Sequence, residues 1–365
     1  ALLEAGVDDA LPIAVPVYTK DRGRNPVLLG RRAFGLVVEA TGDRGLGPVL
    51  AAHPELVSEV PVGSLADETA DGNPDIDTRA DLVAILETAW AARVRANNAQ
   101  VDRYRETPDG ADFYAPVTSL FRADPTRTDE PALDVLLALV REGETWLDIG
   151  AGAGRYALPI GRALAASGGH VIALDTSAAM LSGLREIAAA HGIANVNVVQ
   201  DRWPPADGDL SAFAADVALI AHVSYDIADI GPFVRAMESS ARRLGIAVLM
   251  ERQPSSIADV CWPTVWGEER VALPALPEFV ELLAAMGHEP AVQHLEREPR
   301  RFGSREELEG FLRRQLWVEP GSAADIRFLG ALEPLLETDV DGRVGLVGQR
   351  PMPVGIVTWA TGGKS

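Results

Sequence analysis

The sequence predicts an α/β fold, a largely parallel sheet with helices on both faces. Three observations carry that expectation. Thr145-Trp146-Leu147-Asp148-Ile149 is a short apolar run that reads as a buried strand, and Gly150-Ala151-Gly152-Ala153-Gly154 turns it into a helix over Tyr156 to Ala166. His170 to Leu174 reads as a second strand and ends in Asp175. Val196 to Val199 and Asp216 to Ile220 follow as third and fourth strands at βαβ spacing. Strand, glycine turn and helix in succession bring backbone close to a nucleotide-like ligand. Glycines permit the tight turn and keep side chains out of the ligand's way.

Asp148 sets the charge of that ligand. A dinucleotide would lay its pyrophosphate over this turn, at the positive end of the helix. A carboxylate at the strand end repels that anion, which argues against a nicotinamide dehydrogenase and favours a cationic ligand. Asp148 followed by G-x-G-x-G resembles the first motif of the class I S-adenosylmethionine-dependent methyltransferases. The resemblance implies a Rossmann-like, seven-stranded methyltransferase sheet. It also implies S-adenosylmethionine as cofactor, which carries an ammonium and a sulfonium and no phosphate.

The later strands continue the resemblance. It implies that Asp148, Gly150, Ala151, Gly152 and Gly154 hold the amino-acid end of the cofactor and that Asp175 accepts from the ribose hydroxyls. Asp175-Thr176-Ser177-Ala178-Ala179-Met180-Leu181 matches the family's D-x-S-x-x-M-L pattern, with Ser177 as N-cap and Thr176 and Met180 beside the cofactor. In Gln200-Asp201-Arg202-Trp203, the resemblance implies that Asp201 takes the adenine amino group while Arg202 and Trp203 flank the ring. An N-terminal segment folds over the cofactor in such enzymes, so Tyr114 and Arg127 either reach its methionine carboxylate or serve as packing and surface residues.

Methyl transfer is an in-line displacement, and a general base is needed only where the acceptor must lose a proton. His222, Tyr225 and Asp226 follow the fourth strand, beside the reacting end. His222 and Tyr225 are the catalytic candidates. His222 contacts cofactor or substrate, acts as base, or is structural; Tyr225 orients the acceptor, and Asp226 either does so too or merely starts the next turn. Glu251 ends the fifth strand, expected over Ile246 to Met250, and with Arg252 and Gln253 is a candidate to face the substrate. Cys261-Trp262-Pro263-Thr264-Val265-Trp266-Gly267 reads either as a rigid apolar wall or as a packed loop core.

The remaining elements complete the domain. Helices are expected over Pro131 to Val140, Ile230 to Arg243, from Leu276, over Ser304 to Leu316 and over Ala323 to Leu336. Ala291 to Leu295 is a sixth strand and Val354 to Trp359 the seventh. Residues 129–365 form the methyltransferase domain, and residues 89–128 a helical linker and cofactor lid. In the helix expected over Asp81 to Glu106, Leu82, Ile85, Leu86, Ala89 and Val94 lie near one face.

Residues 1–88 read as a separate α/β unit. Ile13 to Tyr18 and Val57 to Val62 read as strands, with helices over Arg32 to Glu39 and up to Ala52. Arg24-Asn25-Pro26-Val27-Leu28-Leu29, Gly42-Asp43-Arg44-Gly45 and Asp75-Ile76-Asp77-Thr78 resemble the C-terminal half of the nucleotidyltransferases that attach a nucleotide to molybdenum cofactor. That family's glycine-rich nucleotide loop is absent. The unit is therefore the end of a longer natural chain or a degenerate remnant, and a chain starting at Ala1 fits the first. Asp75 and Asp77 either contact a metal-bound triphosphate or only end a strand. Thr78 and Asp81 resemble a capping box.

Composition narrows the partners. The chain has 365 residues, 53 acidic against 33 basic, and a net charge of −20. Nucleic-acid phosphates and anionic membrane surfaces need clustered cations, so neither is expected. Arg297, Arg300, Arg301, Arg305, Arg313 and Arg314, interleaved with glutamates, read as a solvated mixed-charge face. The single Cys261 and the lack of a signal peptide point to the cytoplasm. His53, His170, His191, His288 and His294 lack metal-ligand spacing. The expected function is methyl transfer to a small molecule. The alternatives are a piece of a bifunctional nucleotide-transferring protein and a non-catalytic S-adenosylmethionine-binding protein.

Overall fold

The computed structural model describes residues 11–17, 27–40, 45–61, 78–106 and 124–362. Its contacts divide the chain into Ala1–Asp81 and Leu82–Ser365. In the first unit, β1 (Ile13–Val17) pairs antiparallel with β2 (Leu28–Leu29) and parallel with β3 (Val57–Pro61). Ile13, Val15, Ala33 and Leu50 form its core. The helix expected from Arg32 is a 3-10 helix, Arg31–Glu39, in which Gly35 and the β-branched Val37 and Val38 weaken α-helical propensity. Helix α1 spans Gly47–Ala52. Arg24 to Pro26, Gly42 to Arg44, and Asp75 and Asp77 lie outside the described residues.

Helix α2 (Arg79–Tyr104) starts with the expected capping box. The Asp81 carboxylate accepts from the Thr78 N–H at 2.8 Å, and Thr78 Oγ1 accepts from the Asp81 N–H at 3.2 Å. Its buried stripe differs from the apolar pattern. Ala89 is exposed and Leu82, Ile85 and Leu86 are half-buried, whereas Trp90, Val94, Asn97 and Val101 are buried. Hydrogen bonds make burial of the polar members possible. Asn97 Nδ2 donates to Val271 O at 2.5 Å, Gln100 Nε2 donates to Glu269 O at 2.8 Å, and Gln100 Oε1 accepts from the Val271 N–H at 2.8 Å.

The elements that follow build the main sheet. They are α3 (Pro131–Ala138), β4 (Thr145–Ile149), α4 (Ala157–Leu164), β5 (His170–Asp175), α5 (Ala178–Ala190), β6 (Val196–Gln200), β7 (Ala215–Ala221), α6 (Ile230–Ser240), β8 (Ala241–Met250), α7 (Trp262–Trp266), α8 (Leu276–Ala285), β9 (Ala291–Leu295), α9 (Arg305–Leu316), α10 (Ala323–Leu332), β10 (Leu336–Thr338), β11 (Val344–Leu346) and β12 (Val354–Ala360). The seven-stranded order is β6-β5-β4-β7-β8-β12-β9. Only β12 runs against its neighbours, so β4 to β9 all end at one edge. Alternation along β4 sends Leu147 and Ile149 into a core with Trp90, Phe233 and Phe279. Trp146 points into the opposite core, with Leu136 and Leu158.

Two boundaries differ from the sequence pattern. Helix α6 stops at Ser240, and the Ala241-Arg242-Arg243 stretch expected to be helical belongs to β8. Both arginines find carboxylates in the extended form: Arg242 Nε meets Asp216 at 2.9 Å and Arg243 Nε meets Glu144 at 2.6 Å. Helix α10 stops at Leu332, because Pro334 has no amide to continue the ladder. The chain then forms the unexpected β10–β11 hairpin. Cys261, Trp262 and Val265 pack with Leu308, Leu312 and Phe328 in a third core, so this segment is loop core rather than an open wall. Among the described residues, no helix is long and apolar enough to cross a membrane.

Candidate active site at the C-terminal edge of the sheet

The glycine turn after β4 is hooked onto β5. The N–H groups of Gly150 and Ala151 both donate to Leu174 O, at 2.8 and 3.0 Å. Gly150, Gly152 and Gly154 have φ of 76°, 55° and 84°, which favours glycine at each. Their surroundings separate their roles. A Cβ at Gly154 would lie 2.8 Å from Leu158 and 2.9 Å from Leu184, and one at Gly150 would lie 2.4 Å from Val223. A Cβ at Gly152 would meet nothing within 4 Å. Two glycines thus serve packing, and Gly152 borders the open side.

Asp148 lies on the α4 side of β4 and is 2 % exposed. The Ala157 N–H at the start of α4 donates to its carboxylate, while its Oδ1 has no partner. Burial, reinforced by the charge of Asp175, pushes its pKa up to about 7 against that hydrogen bond. Asp175 ends β5 with both oxygens anchored: Oδ2 accepts from the Gly152 N–H and Oδ1 from the Ser177 N–H, each at 2.8 Å. Ser177 caps α5 as expected, its Oγ accepting from the Met180 N–H at 3.1 Å. Thr176 is exposed and Met180 buried.

At the end of β6, the Asp201 N–H donates to Asp175 O at 3.2 Å, and the Asp201 carboxylate accepts from the Arg202 N–H at 2.7 Å. Asp201 and Arg202 are exposed at this edge. Trp203 is mostly core: its Nε1 donates to Phe233 O at 3.3 Å and its ring stands edge-on to Phe213 at 5.7 Å.

The reacting end follows β7. His222 and Ser224 hold positive φ, 56° and 96°, an unfavourable conformation for residues with a Cβ. The His222 N–H is fixed to Val248 O at 2.8 Å. Its Nδ1 is shielded from solvent and has no partner. Burial, with the charges of Arg297 and Arg155, lowers the imidazole pKa to about 4 and outweighs Glu130. The buried Tyr225 hydroxyl accepts from the Met250 N–H at 2.7 Å, and burial raises its pKa. Gln253 is buried, with its Oε1 accepting from the Leu273 N–H, whereas Asp226, Glu251 and Arg252 are exposed.

Glu130 is a site residue that sequence reasoning missed. It receives Arg127 Nε at 2.6 Å, Arg155 Nη2 at 2.9 Å and the Tyr156 hydroxyl at 2.7 Å. Arg127 also donates to Asp124 O and Arg155 O, so it braces the glycine turn with its donors already engaged. The visible signal was its place before Pro131, at a helix start. Tyr114 lies outside the described residues. No group of three or more His, Cys, Asp or Glu suited to a metal occurs among the described residues.

A parallel sheet with one reversed strand, a glycine turn after its central strand and two aspartates at adjacent strand ends come together at the edge where open α/β sheets take their ligands. Residues 141–265, about a third of the chain, match the family model described as a methyltransferase domain. Among solved structures the chain is similar to the YcgJ protein from Bacillus subtilis, at 15% identity and a TM-score of 0.44, covering 64% of this chain and 99% of that one. It is similar to an S-adenosylmethionine-dependent methyltransferase from Thiobacillus denitrificans, crystallised with S-adenosylhomocysteine, at 17% identity and a TM-score of 0.43, covering 69% and 99%. It is also similar to a precorrin-6y C5,15-methyltransferase from Geobacter metallireducens, at 16% identity and a TM-score of 0.37, covering 65% and 93%. Comparison with curated proteins returned no match.

Proposed function

We propose that residues 129–365 form an S-adenosylmethionine-dependent methyltransferase acting on a small molecule. The observation that carries this reading is Asp148, a buried carboxylate with an unpartnered oxygen at a glycine turn. Such a group costs about 1–3 kcal/mol or more while unpaired. A cationic ligand relieves that cost, whereas a pyrophosphate would add negative charge beside Asp148 and Asp175.

The residues present fit the cofactor. The open side of Gly152 leaves room for it, and both Asp175 oxygens are fixed yet retain lone pairs for a diol. Asp148 and the glycine turn would hold the ammonium end, Asp175 the ribose, and Asp201 with Arg202 the adenine edge, with Trp203 as the wall behind. When bound, S-adenosylmethionine supplies an electrophilic methyl group on its sulfonium. Asp148, half protonated in the free protein near pH 7, gives up that proton when a cation sits beside it. His222 is neutral at physiological pH and too weak a base for efficient proton abstraction, so it positions ligand through a hydrogen bond. Tyr225 fixes the Met250 end of β8 beneath the reacting atoms.

Titrating S-adenosylhomocysteine into Asp148→Ala and Asp175→Ala tests these assignments. Each folded variant is expected to bind about tenfold or more weakly, the cost of a lost charge-assisted hydrogen bond. Affinity equal to the parent's in both would refute the site assignment.

A further inference from the structure

Three buried nitrogen donors lie unpaired beyond the end of β8. Gln253 and Trp262 are 2 % and 0 % exposed, and the Arg270 side chain is 5 % exposed. Among the described residues, Gln253 Nε2, Trp262 Nε1 and Arg270 Nε have no partner. Each is an N–H group that can only donate.

Contacts between their segments bring the three together. The Arg270 guanidinium lies over the Trp262 ring, 4.6 Å from its centroid. Arg270 Nη1 donates to Ser255 O at 3.2 Å, and the Leu273 N–H donates to Gln253 Oε1. The 253–255 and 270–273 segments are thus laced at both ends, with the amide and the guanidinium inside that short stretch. Helix α2 holds the stretch beside the reacting end. Its Trp90 Nε1 donates to Ile227 O, after β7, at 2.9 Å, and one turn on Arg93 Nη2 donates to Leu273 O at 3.0 Å. The end of β8, which leads into Gln253, is tied to the same connection by the Tyr225 hydroxyl at Met250. In the sheet β8 stands two strands from β4, about 10 Å by strand spacing, so the donors lie off the glycine turn.

The buried cation is under-neutralised. Arg270 Nη1 meets Asp259 at 3.4 Å, a long contact. Burial lowers the Arg270 pKa and raises that of Asp259 against this pairing. The free Nε is one prong of the side-on fork with which arginine grips a carboxylate. Buried donors without acceptors are costly, and three of them around one cation call for a shared, negatively charged acceptor. A carboxylate offers several lone pairs and no donor.

We propose that Arg270, Gln253 and Trp262 form a carboxylate-recognising site, and that this carboxylate belongs to the methyl acceptor. The second half rests on the methyltransferase reading, and the first on the three donors alone. Arg270 Nε and Gln253 Nε2 hold the carboxylate oxygens, and Trp262 Nε1 donates to a remaining lone pair. The acceptor is thereby anchored beyond β8, with the rest of the molecule directed to the connection after β7. Gln253, Trp262 and Arg270 become specificity-determining residues.

The test follows the Trp262 indole N–H resonance by NMR, identified by its absence from Trp262→Phe. Benzoate or the neutral benzamide is added, with and without saturating S-adenosylhomocysteine. Benzoate is expected to shift the resonance saturably, and benzamide is not. Gln253→Glu keeps an oxygen for the Leu273 N–H and sets a carboxylate beside Arg270, so it should fold and bind benzoate at least about tenfold more weakly. Arg270→Gln should weaken benzoate about tenfold, as loss of a charge-assisted contact predicts. No saturable shift, an equal response to benzamide, or unchanged benzoate affinity in both variants would overturn the proposal. Displacement of benzoate by S-adenosylhomocysteine would give the site to the cofactor's own carboxylate and overturn its assignment to an acceptor. If benzoate binds and S-adenosylhomocysteine does not, the carboxylate site stands and the methyltransferase reading falls.

Discussion

The β4–β5 end of the sheet and the β7–β9 end are opposites. At the first, Asp148 and Asp175 supply negative charge, and backbone N–H groups fix Asp175 at two points. At the second, His222 and Ser224 hold positive φ, and His222 keeps an unpartnered nitrogen. One end holds its carboxylates in fixed backbone hydrogen bonds; the other holds an imidazole in a left-handed backbone with one nitrogen unpartnered. The contrast teaches that one sheet edge carries two chemically unlike ends, paired carboxylates beside the glycine turn and a neutral imidazole after β7.

The contrast can be broken most severely at the glycine turn. Gly154→Ala combines a left-handed backbone with overlaps at Leu158 and Leu184, so chemical denaturation should show a loss of about 2–4 kcal/mol. Gly152→Ala shares the positive φ but meets no neighbour. It should cost only about 1 kcal/mol, while weakening S-adenosylhomocysteine binding far more than stability. Equal destabilisation by the two variants would erase the division of roles within the turn.

Titration sharpens the comparison, because the two ends respond to pH with opposite signs. Asp148 has a raised folded pKa, so its contribution is full below about pH 4 and is lost as pH rises toward about 7. The shift corresponds to at most about 4 kcal/mol, and Asp148→Asn should remove that slope from a plot of unfolding free energy against pH. His222 has a lowered folded pKa, so its contribution is present above about pH 6.5 and is lost as pH falls toward about 4. His222→Asn should remove this second slope, and an unchanged profile in either variant would contradict the burial argument.

Smaller effects are expected away from the edge. Asn97→Ala and Gln100→Ala should each cost about 1 kcal/mol, since each removes hydrogen bonds to partly buried backbone groups at Val271 or Glu269. The smallest is electrostatic. Arg297→Gln should raise the His222 pKa toward its ordinary value, read from imidazole shifts against pH. No movement would separate Arg297 from the reacting end.

The main sheet was legible because its strands are short apolar runs punctuated by glycine and aspartate. Even the reversed β12 was visible as a final run over Val354 to Trp359. The start of β8 was hidden because Arg242 and Arg243 look helical and surface-bound until Asp216 and Glu144 meet them. The buried stripe of α2 was hidden for a related reason: Asn97 and Gln100 enter the core through hydrogen bonds, which hydrophobic spacing does not register. At the candidate site, the places of Asp148 and Asp175 were legible from their positions at strand ends. Glu130 was not, since Arg155 and Tyr156 reach it from across the glycine turn. Trp203 was read as a partner of adenine from its place after Asp201, whereas its ring mostly fills the core with Phe213.

The most direct measurement is a calorimetric titration of the parent protein with S-adenosylmethionine and S-adenosylhomocysteine, beside NADH and CTP. The account predicts saturable binding of the first two, with proton release near pH 7 from Asp148, and none of the phosphate-bearing pair. Binding of NADH or CTP in their place would contradict the central claim that this glycine turn is built for a cation.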